Sequence, residues 1–567
     1  MMLYDWGLFI YKKPIGYKVG MNMAKKVVSL EADLWDACNK LRGSVSATDY
    51  VNVVLGLFFL RFAFDKFNAQ REKLLGDSET APFAENARFY TKDNIFYLRD
   101  ELEVLDHVEL IDGEEKRITK KIHTRWDWFK ANSARADILT QVDDAFRQIE
   151  KDNPSLKGAL DIGFYPTLRI EREKFSSLID TIARMQYSQD DADDVIGRIY
   201  EYFLRKFCIK AKDEKGEFYT PGNIVDLMTQ LIEPYHGKVY DPCCGSGGMF
   251  VQSAKFIEKH NGNRKDITIY GQEYNPKTYR LARMNLAIRG LACDLGNEDA
   301  SSFTNDKHPE LQADFILANP PFNQKTWWSD SLKDDKRWRG FDTPPASNGN
   351  YAWILHMLKH LSHGGIGAFL LANGALSAGE DAEEVEYRIR KELIKQDKVE
   401  AIIVLPREMF YATDISVTLW IVSHDKGSRT ILRDGQEVRL RDRKGEVLFI
   451  DARTLGDGGN NEDGYVLLSQ EDKNRIKETF FKWQTQEWAN NDNVDEFCYC
   501  AKRDEIELKK WSLVPSKYIK FVDHDLNIDY EKEMQRIQKE MKKILEEERR
   551  TQKELIDAFE GIGHGIE

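Results

Sequence analysis

The residues best suited to chemistry are Asn319-Pro320-Pro321-Phe322, at the end of the apolar run 313–319. Consecutive prolines hold the backbone extended and donate no hydrogen bonds. The Asn319 side-chain carbonyl and the Pro320 main-chain carbonyl can then both accept from one amino group. An aniline-like nitrogen, whose lone pair is delocalised into its ring, needs that help. Two acceptors favour a more tetrahedral, more nucleophilic nitrogen before it attacks a methyl carbon, and preorganised dipoles of this kind typically lower a barrier by a few kcal/mol. Phe322 adds a flat apolar face on which a base drawn out of its helix can stack.

A second constellation, Asp241-Pro242-Cys243-Cys244-Gly245-Ser246-Gly247-Gly248, reads as a strand ending in an acid, then a small-residue turn that opens a helix. Glycines let a backbone approach a ligand closely, and a helix N-terminus offers unpaired N–H groups. The turn lacks the G-x-G-x-x-G spacing of a pyrophosphate site. It suits a ligand with one carboxylate and one ammonium, such as the methionine end of S-adenosylmethionine. A tight structural turn is the plain alternative. In Gly271-Gln272-Glu273, at the end of the next apolar run, Glu273 is placed to accept from a ribose diol. Asp299, in a loop, either reads an adenine amino group or is simply solvated. Glu217-Phe218-Tyr219-Thr220-Pro221-Gly222, ahead of these motifs, offers an aromatic pair and a Thr-Pro turn that can cover the methionine portion of such a cofactor.

These motifs need a sheet to hold them. Short apolar runs at 238–241, 267–273, 313–319, 366–373, 399–405 and 417–422 alternate with helical segments. That pattern predicts an α/β fold with a mostly parallel, doubly wound, Rossmann-like sheet, whose ligands sit beyond the carboxyl ends of the strands. Upstream, apolar residues recur at helical spacing in 29–43, 51–67 and 136–150 and again from about 175, so a mainly helical domain is expected over 24–190. Residues 1–23 read as a flexible leader, with Met21 and Met23 as alternative starts. The catalytic domain is expected over 191–480, and 481–567 forms a C-terminal region. There Tyr530, Met534, Ile537, Met541, Ile544, Leu555 and Phe559 follow a coiled-coil rhythm in a Glu/Lys/Arg-rich stretch, interrupted at Glu548 and Thr551. Such a helix seeks a partner or packs back on its own chain.

Composition narrows the class. At 567 residues the chain exceeds one ordinary core, and 42% hydrophobic with 31% charged residues is a globular profile. The run 53–60, which includes Gly56, is too short to cross a membrane and reads as a buried helix. No secretory pattern is visible at the N-terminus, and seven scattered cysteines do not suggest a disulfide framework, so a cytoplasmic setting is expected. A net charge of −13 argues against a surface coated with DNA-binding charge and predicts help from another chain.

Three further signals are weaker. His356, His360 and His363 have a spacing that could bind a metal, but no neighbouring acid or cysteine completes a zinc set, and no metal is expected. Cys498-Tyr499-Cys500 lacks the two-residue spacer of a zinc or redox pair. Lys325-Thr326-Trp327-Trp328 to Lys336-Arg337-Trp338-Arg339 interleaves bases with aromatics and could clamp a flipped nucleotide, although Asp330, Asp334 and Asp335 dilute its charge.

The order GEFYTP, DPCCGSGG, GQE, LANPPF resembles the modification (M) subunits of type I restriction–modification systems, which are adenine-N6 DNA methyltransferases. The likeness extends to LEADLW with KLRG, VVLGL, NYAW, LANG, and LP followed by MFY, over about 28–425, and the terminal helix fits as well. The resemblance implies that Glu217, Phe218, Tyr219, Thr220, Pro221, Gly222, Gly245, Ser246, Gly247, Gly248 and Glu273 contact S-adenosylmethionine, with Asp241 shaping the loop. It implies that Asn319, Pro320, Pro321 and Phe322 hold a target adenine flipped from double-stranded DNA. It also implies a specificity (S) subunit that chooses the sequence, a second M subunit in the complex, and a restriction (R) subunit. Cys243-Cys244 stands where small residues such as alanine are usual; cysteine is small too, so the site is expected to survive, with sensitivity to thiol reagents. Two other functions share parts of the pattern: protein glutamine N-methyltransferases, which use Asn-Pro-Pro-aromatic on smaller chains, and a non-catalytic DNA-binding scaffold.

Overall fold

A computed structural model of the chain describes residues 47–111, 114–185, 202, 220–379, 381–410, 416–459, 464–485, 488, 492–522 and 530–561. The chain forms two compact units, 1–153 with 161–207 and 154–160 with 208–567. The expected helix at 29–43 and the leader lie outside the described residues.

The first unit is built on helix α1 (Ala47–Leu75). Val53, Val54, Leu55, Leu57, Phe58, Phe59 and Leu60 are all buried, so this helix is covered on every side at its centre. Gly56 is the exception in the run for a steric reason: a Cβ there would collide with the Tyr165 hydroxyl and press on the Phe146 ring. That hydroxyl instead donates to the Val53 carbonyl at 3.1 Å. The unit departs from an all-helical reading at an antiparallel hairpin, β1 (Leu102–Ile111) and β2 (Glu114–Ile122). Its pairing slips between Leu105 and His107, and Leu105 and Val108 are exposed. With little of it buried, the hairpin carries no clean alternation to read. The longer helices that follow are α2 (Ile138–Asp152) and α3 (Arg172–Arg184), with short helical turns at Arg88–Thr91 and Trp126–Ala131 ahead of them.

The second unit is the expected α/β domain. Helix α4 (Gly222–Ile232) leads into β3 (Gly237–Asp241), α5 (Gly248–Lys259), β4 (Ile267–Gly271), α6 (Pro276–Ile288), β5 (Cys293–Asp294) and β6 (Ala313–Ala318). The chain continues through α7 (Asn350–His360), β7 (Leu361–Ala372), α8 (Val385–Lys395), β8 (Val399–Val404), β9 (Val417–Ser423), the hairpin β10 (Arg429–Arg433) and β11 (Gln436–Leu440), and β12 (Glu446–Asp451). Helix α9 (Gln470–Gln484), β13 (Cys498–Lys502) and helix α10 (Tyr530–Gly561) follow. The nine-stranded sheet has the order β13-β12-β8-β9-β7-β6-β3-β4-β5. Strands β3 to β7 are parallel, and β9 runs antiparallel between β7 and β8. The chain builds outward from β3 through β4 to β5, then returns to place β6 on the other side of β3. That reversal is a topological switch point, where sheets of this kind bind ligands beyond the strand ends. Both motif loops lie there, one after β3 and one after β6.

An apolar core fills each face of the sheet: Val239, Phe250, Leu286 and Leu317 on one, Tyr240, Ile316, Tyr351 and Phe369 on the other. In β3 the alternation of Val239 and Tyr240 between the two cores is the period-2 geometry of a strand buried on both faces. On α10, Ile537, Met541, Ile544 and Leu555 are each at least 40% exposed, so the described part of this stripe is not covered by its own chain.

Candidate active site

The turn after β3 is held by two carboxylates. Asp241 accepts from the Cys243 N–H at 3.0 Å, and Glu273, just past β4, accepts from Gly245 N–H at 2.9 Å and Asn275 N–H at 2.8 Å. The neighbouring strand ends are laced by Gln272 N–H to the Asp241 carbonyl and Cys244 N–H to the Gln272 carbonyl. Gly245 and Gly247 both have left-handed backbones, with φ of +55° and +83°, and Gly247 caps α5. A side chain at Gly245 or Gly248 would meet nothing within 4 Å, which leaves open space over the turn. Ser246 is buried, its carbonyl held by the Asn285 amide at 2.7 Å.

Two carboxyls, Asp241 and Glu273, meet at this turn. Burial, reinforced by the charge of Glu273, pushes the Asp241 carboxyl up to about 7, against the opposing bond from Cys243 N–H. Such an acid is ionised readily only when a positive group comes close. The same burial, with Asp241 and Glu273 adding to it, pushes both the Cys243 and the Cys244 thiol well above the ordinary range. A raised thiol runs against the expected thiol sensitivity, most of all at the buried Cys244, since Cys243 is half-buried.

Two organising side chains here were not given roles from the sequence. Gln272 is fully buried and clamps the loop after β5. Its amide nitrogen donates to the Ala300 and Asn305 carbonyls at 3.1 and 2.8 Å, and its amide oxygen accepts from Lys307 N–H at 3.0 Å. Asn285 is a polar residue on the buried stripe of α6, among Ala282 and Leu286, and that mismatch is the signal that could have found it. Tyr274, beside Glu273, presents its ring with 75% exposure. Asp299 is exposed on its loop.

The tetrad leaves β6 at the switch point. Pro320 is buried, Pro321 exposed, and Phe322 half-buried with its ring edge-on to Phe410 at 6.3 Å. The Asn319 amide nitrogen donates to the Thr220 hydroxyl at 2.9 Å. In this arrangement the N–H₂ side of the amide faces Thr220, which leaves its carbonyl as the side chain's acceptor. Thr220, Pro221 and Gly222 are thereby placed at the start of α4, beside the tetrad. Glu217, Phe218 and Tyr219 lie outside the described residues.

The basic-aromatic stretch after the tetrad is different from its expected role. Arg337 is buried, donating to the Ser302 and Phe303 carbonyls at 2.7 and 2.6 Å and pairing with Asp335 at 2.7 Å. Trp327 and Trp338 are core residues. A buried guanidinium that satisfies backbone carbonyls cannot also clamp phosphates, so within this stretch only the exposed Lys325, Lys333, Lys336 and Arg339 could meet DNA.

The histidines are also corrected in part. An acid distant in sequence, Asp306, does join His356 and His360. His360 Nε2 stands 3.0 Å from Asp306 Oδ2, and its Nδ1 is 2.8 Å from the His356 carbonyl. Burial alone would raise the Asp306 carboxyl, but the His360 bond and charge hold it below the usual range. Burial, with the Arg337 guanidinium adding to it, pushes His356 well below the usual imidazole range and so keeps it neutral. Arg337 lies 3.0 Å from His356 Nδ1, so that nitrogen must be an acceptor and Nε2–H faces the Tyr240 oxygen at 3.0 Å. Both His356 nitrogens are thus engaged by Arg337 and Tyr240, while His360 and Asp306 form a close pair beside them under β3.

Comparison with known proteins agrees with this architecture. Residues 191–525 match the family model described as N-6 DNA Methylase, and 30–182 match the HsdM N-terminal domain. The chain is 38% identical over 439 residues to the type I restriction enzyme HindI methylase subunit of Haemophilus influenzae, covering 75% of this chain and 93% of that protein. It is 33% identical over 541 residues to the MjaIX methylase subunit of Methanocaldococcus jannaschii, covering 93% and 91%. The methyltransferase subunit of a type I restriction-modification system from Streptococcus thermophilus shares the fold, with a TM-score of 0.67 at 23% identity, covering 86% of this chain and 99% of that one. The chain belongs to the N-6 DNA methylase family, as a type I restriction enzyme methylase subunit.

Proposed function

We propose that the chain transfers a methyl group from S-adenosylmethionine to adenine N6 in double-stranded DNA. The single observation that carries the reading is Asn319, at the end of β6 and beside the cofactor-type turn, with its amide oriented by Thr220. The residues present suit the cofactor: Asp241 and Glu273 supply negative charge for a cation, and Gly245 and Gly248 leave room above the turn. Bound, S-adenosylmethionine supplies an electrophilic methyl carbon. Glu217 to Gly222, Asp241, Gly245 to Gly248 and Glu273 hold it, with Asp299 at its adenine end and the exposed Tyr274 ring beside Glu273 as a stacking surface.

The target base has to leave the duplex to reach this place, because its amino group is otherwise engaged in pairing. Phe322 stacks on the flipped adenine, and Phe410 backs Phe322 edge-on. The Asn319 and Pro320 carbonyls accept from the two N6–H bonds, which localises the nitrogen lone pair and points it at the methyl carbon. As the N–C bond forms, the S–CH3 bond breaks with its electron pair passing to sulfur, and S-adenosylhomocysteine leaves; the same carbonyls stabilise the positive charge that develops on nitrogen, until a proton is released to water.

Sequence choice belongs to a separate S subunit, with a second copy of this chain and an R subunit in the full assembly. The acidic net charge and the uncovered stripe of α10 support dependence on partners. No described helix is long and apolar enough to cross a membrane, and we place the work in the cytoplasm, with the DNA. A protein-glutamine acceptor is disfavoured by the family match. The chain expressed with its S subunit is expected to methylate adenines at one sequence, and Asn319→Ala to abolish this while cofactor affinity stays within about threefold. Methylation that survives Asn319→Ala, or its absence in the native complex, would overturn the reading, the second outcome in favour of a scaffold.

A further inference from the structure

We propose that Asn350, at the start of α7, is a positioning residue for methyl transfer that acts on the tetrad through Asn323. The inference rests on the reading that residues 319–322 hold the adenine. It begins from a backbone anomaly: Asn323, directly after Phe322, has a left-handed φ of +52°. A non-glycine residue adopts that conformation at a cost and keeps it only where its surroundings fix it.

What fixes it is a reciprocal amide pair. The Asn350 side-chain oxygen accepts from Asn323 N–H at 2.9 Å, and the Asn350 amide nitrogen donates to the Asn323 side-chain oxygen at 2.9 Å. The same short segment supplies further bonds. Asn348 donates to that Asn323 oxygen at 3.4 Å and accepts from Asn350 N–H at 3.0 Å. Gly349 N–H reaches the Gln324 carbonyl at 2.9 Å, and the Trp353 indole N–H reaches the Gln324 side-chain oxygen at 3.1 Å. Residues 323–324 are therefore docked, backbone and side chain, onto the first turn of α7.

The dock is stiff on the far side. Asn350 is 2% exposed, and Tyr351, Ala352, Trp353, Ile354 and Leu355 after it are all buried. A second anchor is the Tyr351 hydroxyl, which donates to the Ala375 carbonyl at 2.8 Å. An amide placed among buried apolar residues lowers stability unless its hydrogen bonds are made, so an apolar residue would serve α7 better if packing were its only task. The geometry assigns it another: the strand β6 and Thr220 fix the tetrad where it begins, and Asn350 fixes it where it ends. Between these two points Pro320 and Pro321 are rigid, which sets the Pro320 carbonyl and the Phe322 ring as one unit. The bonds of Asn350 go to Asn323 and Asn348, so its role is to position rather than to react.

The test uses the chain in complex with its S subunit, on a duplex whose methylated adenine has been mapped, with 2-aminopurine at that position as the flipping probe. Asn350→Leu keeps the volume and removes both bonds. The expected result is a kcat lower by roughly 10- to 100-fold, the scale of an ångström-sized misplacement, with KM for DNA, cofactor Kd and the 2-aminopurine signal within about twofold. Asn323→Ala, on the exposed side of the pair, is expected to give the same split even if Asn350→Leu folds poorly. Combined, the two changes are expected to cost less than the product of the singles, because they break one interaction. An unchanged kcat in Asn323→Ala, or a cofactor Kd that worsens in step with kcat, would overturn the positioning role. Asn319→Ala run alongside separates the two levels: activity retained there sinks the adenine-holding reading itself, whereas its loss with normal Asn323→Ala and Asn350→Leu turnover sinks only this inference.

Discussion

The turn after β3 and the tetrad after β6 lie at the same switch point, yet they are held by opposite means. The turn is fixed by its immediate neighbours: Asp241 binds Cys243, and Glu273, from the adjacent strand end, binds Gly245. Its groups are mostly buried and two of them are carboxyls. The tetrad is fixed by neutral side chains from far along the chain, Thr220 on one side and Asn350 on the other, and it is partly open to solvent. A cofactor site of this kind stands assembled before its ligand arrives. On the proposed reading the tetrad receives a flipped base and has to leave one face open, so its rigidity is imported from behind.

The comparison predicts that damage to the two loops separates into different kinetic constants. The largest effect is expected from Glu273→Leu, which removes the acceptor of both Gly245 and Asn275 N–H as well as the acid of the cofactor site. Cofactor Kd should rise by about 100-fold, the cost of leaving a charge-accepting site unpaired, while kcat at saturating cofactor falls far less. Calorimetry of the complex with S-adenosylmethionine measures the first, and saturation kinetics the second. If kcat collapses with Kd unchanged, the two loops are not separable. The mirror case is Thr220→Val, which keeps the shape and removes the hydroxyl that orients Asn319. It should lower kcat by roughly 30-fold, about the 2 kcal/mol of one oriented hydrogen bond in a preorganised site, and Thr220→Ser should restore most of it. A loss confined to cofactor affinity would return Thr220 to a purely cofactor-covering role.

The same contrast explains what could be read from the sequence. The turn and the tetrad were legible because their geometry is written in adjacent residues: glycines for left-handed backbone, prolines for extended backbone, each after an apolar run. The strands β3, β4, β6, β7, β8 and β9 were legible for the same reason. β5, with two residues, leaves no pattern, and the hairpins β1–β2 and β10–β11 are too exposed to alternate cleanly. What was not legible is polar pairing across distance. Thr220 and Asn319 are 99 positions apart, and no local rule joins them. Arg337 looked like a DNA contact because a basic residue beside tryptophans has that appearance. Its true partners include the Ser302 and Phe303 carbonyls, backbone groups that every sequence has. Asp306 was missed as the acid beside His356 and His360 because β6 and the long segment before α7 separate it from them in the chain.

A smaller effect, visible in pH, distinguishes the charged loop from the neutral one. The Asp241 carboxyl is raised to about 7, so between about 4, its ordinary range, and about 7 the folded chain holds a proton that the unfolded chain has released. Stability from this group therefore falls as pH rises through that window, and above about 7 the cost of burying the charge is fully present. A bound cation offsets that cost. Cofactor should then raise Tm more at pH 8 than at pH 6, and its Kd should tighten by up to about tenfold over the same range, the change in the ionised fraction of a group with that pKa. Asp241→Asn should flatten both dependences. The tetrad has no ionisable member, so Asn323→Ala should leave the pH profile of cofactor binding as it is in the native chain. A profile that shifts with Asn323→Ala, or persists in Asp241→Asn, would mean that the charge sensed by the cofactor is not on this turn.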